Sequence, residues 1–236
     1  MLEKLSVPIA IVVAGGLIAG ALYYSNLKAK SADYVQQAVT QVKAVTTSPG
    51  EDMRPVSADD HILGNPNADL VIVEYSDTEC PFCKQFHVTM KRVMTEYGAS
   101  GKVAWVYRHF PIDSLHSKAR KESEALECAN ELGGNEKFWA YTDLVYATTN
   151  SNDSLDPAEL PKIAKTVGLN VADFNTCLSS GKYKDKVEAD YQDAIKAGGR
   201  GTPNSIIISK DGTKTLIEGA QPYESLKGVI DALLQD

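Results

Sequence analysis

Two cysteines separated by two residues, Cys80-Pro81-Phe82-Cys83, are the part of this 236-residue chain whose types and spacing could do chemistry. Leu70-Val71-Ile72-Val73 before them is a β-branched run suited to a buried strand. After them Phe86, Met90, Val93/Met94 and Tyr97 recur at helical spacing until Gly98 supplies a stop. The pair therefore opens a helix at the end of a strand. The first turn of a helix leaves backbone N–H groups unpaired and carries the positive end of the macrodipole, so it favours a thiolate. Pro81 suits the first helical position because the N–H it lacks would have no partner there. In such a place a thiol pKa falls from about 8.5 to roughly 3.5–7.5. Cys80 is then the reactive thiol, and Cys83, one turn deeper, the resolving one. Half a zinc site and two inert core cysteines are the competing readings. A structural zinc site draws four ligands, from a second Cys-x-x-Cys or a closely spaced His pair. This chain offers only four scattered histidines, so neither a metal nor a cofactor is expected.

Other residues are candidates by their place relative to that pair. Glu74 follows four apolar strand residues; buried there, its pKa would rise and it could exchange a proton at neutral pH, whereas an exposed strand-end carboxylate could not. Pro203 follows Thr202 and precedes Ile206-Ile207-Ile208, where it would enter a strand as an ordinary trans proline or adopt the cis form open to X-Pro bonds. His87 and His109 read as packing or surface residues. Val103 to Tyr107, Ile206 to Ile208 and Thr215 to Ile217 supply further strands, and Ser114 to Ala197 reads as several helices.

Composition sets the frame for these elements. The chain is 43% apolar and 23% charged, near the globular average, and large enough to bury a core without cross-links. A net charge of -7 argues against a nucleic-acid partner. Leu5 to Tyr24 is uncharged and, as a helix, would span roughly 30 Å, the thickness of a bilayer core. It reads as a retained anchor, with Tyr23-Tyr24 and Lys28 at the interface; the alternative is a signal peptide cleaved near Ala19-Gly20-Ala21. Ser25 to Asp60 reads as a stalk ending in a flexible or extended linker that contains Ser48-Pro49-Gly50 and Arg54-Pro55.

From about His61 to Asp236 the chain resembles the DsbA-like thiol:disulfide oxidoreductases. The resemblance rests on EYSDTECPFCKQFH at Glu74 to His87, WVYRHFPI at Trp105 to Ile112 and GRGTPNSIIIS at Gly199 to Ser209. It implies an α/β thioredoxin-like fold with an inserted α-helical domain, here preceded by an N-terminal transmembrane helix and stalk. The expected organisation is an anchor at 1–27, a stalk at 28–60, a thioredoxin-like domain at 61–112 and 198–236, and a helical insertion at 113–197. It implies redox tuning by Pro81 and Phe82, proton transfer by Glu74, and a cis-proline at Thr202-Pro203 whose backbone meets substrate beside Cys80 and Cys83. Phe82 departs from the pattern: where relatives can carry a histidine it offers no imidazolium, so one source of thiolate stabilisation is missing.

The other two cysteines lie on apolar stripes, Ala125-Cys128-Ala129-Leu132 and Val171-Phe174-Cys177-Leu178. If those faces pack together, Cys128 and Cys177 could form a structural disulfide of the kind that staples the insertion in resembled relatives; two free buried cysteines are the alternative. The expected activity is oxidation of thiols in exported proteins, outside the cytoplasm, where a lasting disulfide survives. A membrane quinone-linked reoxidase follows from the resemblance alone. A reductase or isomerase on the same fold and a non-catalytic peptide-binding envelope module are the rival functions.

Overall fold

The computed structural model describes residues 50–235. The expected anchor, Leu5 to Tyr24, lies outside the described residues, as does the stalk up to residue 49; among the described residues no helix is long and apolar enough to cross a membrane. A five-stranded sheet forms the centre, in the order β1-β3-β2-β4-β5. Its strands are β1 (His61–Leu63), β2 (Leu70–Ser76), β3 (Val103–His109), β4 (Asn204–Ser209) and β5 (Lys214–Glu218). β2 and β3 are parallel and joined by helix α1 (Pro81–Val93), which runs into a π-helical turn, Met94–Gly98. The other pairings are antiparallel. β1 is a short edge strand that the sequence reading did not anticipate. β2 also runs on through Ser76, past the apolar run that announced it.

Period-two alternation sorts β2 between the two faces of the sheet. Leu70 and Ile72 point into a core shared with Phe86 and Met90 of α1 and with Leu226 and Ile230 of α6 (Tyr223–Leu233). Val73 and Tyr75 point to the opposite core, with Phe110 and with Ala194 of α5 (Lys184–Lys196). Glu74 and Ser76 inherit the α1 side by the same alternation, and the helix N-terminus sits there.

Between β3 and β4 the chain is helical: α2 (Ala119–Thr148), α3 (Leu160–Thr166), α4 (Val171–Ser180) and α5. α2 breaks at Gly134, where φ is 70°, a left-handed conformation that costs glycine little. Cys128 on α2 and Cys177 on α4 are joined by a disulfide across 49 residues.

Residues 50–60, placed by composition in a flexible linker, are instead packed on the domain. Met53 is buried, and Arg54 bonds Asp60 and Asp190 at 2.6 and 2.9 Å. The wholly buried Arg108 takes both oxygens of Asp60, each at 2.9 Å, and Asp193 at 2.8 Å. Pro and Gly in this stretch read as linker because the partners that order it lie up to 139 residues away.

Candidate active site

Cys80 caps α1 from an extended conformation (φ -76°, ψ 123°), Pro81 begins the helix, and Cys83 is one turn in. Both cysteines are free thiols and both are buried. Phe82 between them is 60% exposed, so the motif presents an apolar ring to solvent over a sheltered sulfur. The Cys80 thiol lies 3.4 Å from the carbonyl oxygen of Thr202. Thr202-Pro203 is a cis peptide bond in the loop that enters β4.

The two sulfurs differ sharply in acidity. Cys80 is lowered to about 6, first by a hydrogen bond from the Cys83 thiol, then by the Thr202 side chain and the N–H groups of Cys83 and Phe82; burial opposes these. Cys83 is raised well above the ordinary thiol value by burial, by bonding to Cys80 and by the charges of Cys80 and Glu74. One thiol is ionised at neutrality and its neighbour holds its proton.

A buried polar network lies beneath the pair. Glu74 is fully buried and pushed up to about 7 by desolvation, against hydrogen bonds that favour its charge. Those bonds come from the Ser76 hydroxyl, 2.6 Å, and the Trp105 indole N–H, 2.9 Å. Ser76 also hydrogen-bonds Cys83, so it touches both the carboxyl and the resolving thiol. The hydroxyls of Ser76 and Tyr146 are 2.9 Å apart, and those of Tyr146 and Tyr107 3.1 Å. The Asp77 N–H donates to Cys83 Sγ at 3.4 Å. Sequence reasoning found Glu74 and missed Ser76, Tyr107 and Tyr146. Alternation along β2 was the available signal for Ser76; Tyr146 arrives from 70 residues away and had none.

Glu79, immediately before Cys80, is also buried. Its carboxylate accepts from the Thr149 hydroxyl at 2.9 Å and from the Ser154 and Leu155 N–H groups at 3.1 Å each. These bonds pin the 149–155 loop, whose Ser151, Asn152 and Asp153 are all left-handed, beside the motif. His87 and His109 are buried away from the sulfurs, with His87 Nε2 2.7 Å from Asp143 and His109 Nε2 2.8 Å from Glu127. His61 Nε2 also meets Glu127 at 2.8 Å, and among the described residues this His61-His109-Glu127 cluster has the donor set for a metal ion. Lys186 stands 3.9 Å from the same carboxylate oxygen. The fold gathers two histidines that are 48 positions apart in the chain, which spacing could not show.

Comparison with known proteins agrees with this geometry. The thioredoxin family model Thioredoxin_4 matches residues 57–232. Among solved structures, Pseudomonas aeruginosa DsbA2 superposes with a TM-score of 0.66 at 28% identity, covering 78% of this chain and 98% of that one. Wolbachia pipientis α-DsbA1 gives 0.67 at 26% identity, covering 79% and 96%. Oxidised BdbD from Bacillus subtilis gives 0.68 at 19% identity, over 78% of this chain and 97% of that one, and shows the shared fold. A curated relative named Na(+)/H(+) antiporter NhaA 3, from Salinispora tropica, is 32% identical over 156 residues, 66% of this chain. The match covers 22% of that protein, so the chain spans less than a quarter of its length.

Proposed function

The chain belongs to the thioredoxin family and, within it, to the DsbA-like thiol:disulfide oxidoreductases, and from that premise we propose that it oxidises thiols of exported proteins through Cys80 and Cys83. The observation that carries this reading is the unequal pair at the start of α1: Cys80 lowered to about 6 beside a Cys83 raised well above the ordinary value. A substrate thiolate attacks Cys80 Sγ of the oxidised protein, the Cys80–Cys83 bond breaks, and a mixed disulfide forms on Cys80. The electron pair leaves on Cys83, which takes a proton from Glu74 through Ser76. A second substrate thiolate then attacks the substrate sulfur and expels Cys80 as a thiolate, a good leaving group at its low pKa. The substrate loses two electrons and the protein dithiol gains them.

The Thr202 backbone, within 3.4 Å of Cys80 Sγ, is placed to meet an extended substrate segment, and the exposed Phe82 adds apolar contact. Extracytoplasmic placement behind the N-terminal anchor, with reoxidation by a membrane quinone-linked partner, completes the proposal; the Cys128–Cys177 disulfide supports an oxidising compartment.

Two measurements test it. Cys83→Ala should accumulate Cys80-linked adducts with secreted proteins, and their absence would sink the thiol-exchange reading. The glutathione equilibrium of the pair decides direction: a potential near about -120 to -180 mV supports oxidation, whereas one near -270 mV turns the assignment to a reductase.

A further inference from the structure

Phe82 leaves the motif without a cation, yet Cys80 is acidic. One stands on the loop between β3 and α2. His116 is buried, and its Nδ1 lies 2.9 Å from Asp77 Oδ2. The same oxygen accepts the Ile112 N–H at 2.7 Å. Asp77 in turn holds both cysteines by its backbone: its carbonyl accepts the Cys80 N–H at 3.2 Å, and its N–H donates to Cys83 Sγ at 3.4 Å. The His116 backbone is held as well, its N–H bonding Ile112 O at 2.9 Å and its carbonyl accepting the Ala119 N–H at 3.2 Å.

We propose that His116, clamped on Asp77, is a positioning residue whose imidazolium supplies the positive charge that stabilises the Cys80 thiolate. A buried Asp77 carboxylate three residues before Cys80 would by itself oppose a second negative charge; the imidazolium cancels it. The groups facing His116 from each neighbouring element favour its protonation. Asp77 and Cys80 come from the β2–α1 turn, and Asp153, from the loop after α2, binds the N–H groups of Ser117 and Lys118 at 2.8 and 3.0 Å. Burial lowers the His116 pKa, and the hydrogen bond and charge of Asp77 and the charges of Cys80 and Asp153 outweigh it, for a net upward shift. Lys118, two residues on, bonds the carbonyls of Asp153 and Leu155 at 2.6 and 2.9 Å. Glu122 accepts the Thr78 hydroxyl at 2.6 Å.

The inference rests on the redox reading of the dithiol, and coupling between two titrating groups is reciprocal, which allows a test from both ends. In the reduced full-length protein, ultraviolet thiolate absorbance against pH should give a Cys80 midpoint near 6. His116→Gln should move it up by about half a unit and lower the equilibrium constant against glutathione roughly threefold. In the unaltered protein, the His116 ring proton shifts should titrate at higher pH in the reduced state, where Cys80 carries a thiolate charge, than in the oxidised state. That comparison needs no substitution and stands if His116→Gln fails to fold. Identical His116 titrations in the two redox states would overturn the assignment while leaving a Cys80 midpoint near 6, and with it the redox reading, intact. An ordinary thiol midpoint for Cys80 would overturn both.

Discussion

Glu74 is a carboxyl group kept where a hydrocarbon would be more stable, and its titration exposes that cost. Its folded pKa, about 7, lies above the ordinary 4.5, so between those values the folded protein holds a proton that the unfolded chain has released. Stability from this group is therefore complete below about pH 4.5 and is lost as pH rises to 7. The shift of about 2.5 units corresponds to about 3 kcal/mol. Glu74→Gln should remove that slope: denaturant unfolding of the reduced variant at pH 4 and pH 8 should differ by about 3 kcal/mol less than in the parent. The same substitution should slow reduction at the step where Cys83 is protonated, and leave the Cys80 midpoint near 6. If the parent and Glu74→Gln change in stability equally between pH 4 and pH 8, Glu74 is not the proton reservoir.

At the scale of elements, the two cysteine pairs divide by what closes them. Cys80 and Cys83 sit in one helical turn, so their bond closes a tiny ring and stabilises the unfolded-chain comparison little. Cys128 and Cys177 join α2 to α4 across 49 residues, and a loop of that length restricts the unfolded chain by about 4 kcal/mol. Replacing both by alanine should lower unfolding free energy by about 4–5 kcal/mol, since alanine also fills the buried sites less well. The glutathione equilibrium of Cys80 and Cys83 should not change, because α1 and the β2 network hold that pair without help from α4. A shift in that equilibrium would show that the helical region reaches into the dithiol's energetics.

For the molecule as a whole, residues 50–60 belong to the folded unit. Arg108 is a buried cation satisfied by Asp60 and Asp193, while Arg54 meets Asp60 and Asp190. Burial pushes the Asp60 carboxyl up, but hydrogen bonds from Arg108 and Arg54 prevail and hold it near 2. Its contribution is thus present above about pH 3.8 and lost as pH falls through 2. A chain beginning at residue 61 would leave Arg108 short of its main partner, and breaking a buried pair costs about 3–5 kcal/mol. Urea unfolding should find a chain that begins at residue 61 less stable than one that begins at residue 50 by about that amount. Equal stability of the two shortened chains would return residues 50–60 to the linker.

Local rules alone carried the strand–turn–helix placement of Cys80 and Cys83, because strand patterning, Pro81 at the first helical position and the unpaired N–H groups of a helix start all act within about a dozen residues. Glu74 was legible for the same reason: its distance from Cys80 is a matter of chain geometry. Ser76 could have been read from alternation. What only the tertiary structure decided are the partners drawn from far along the chain. Tyr146 completes the network under the sulfurs, His116 reaches Asp77, His61 and His109 meet at Glu127, and Arg54 is held by Asp190 and Asp193. Each of these groups is polar and ordinary in sequence. Its surroundings come from burial beside specific partners, and burial is a property of the packed molecule.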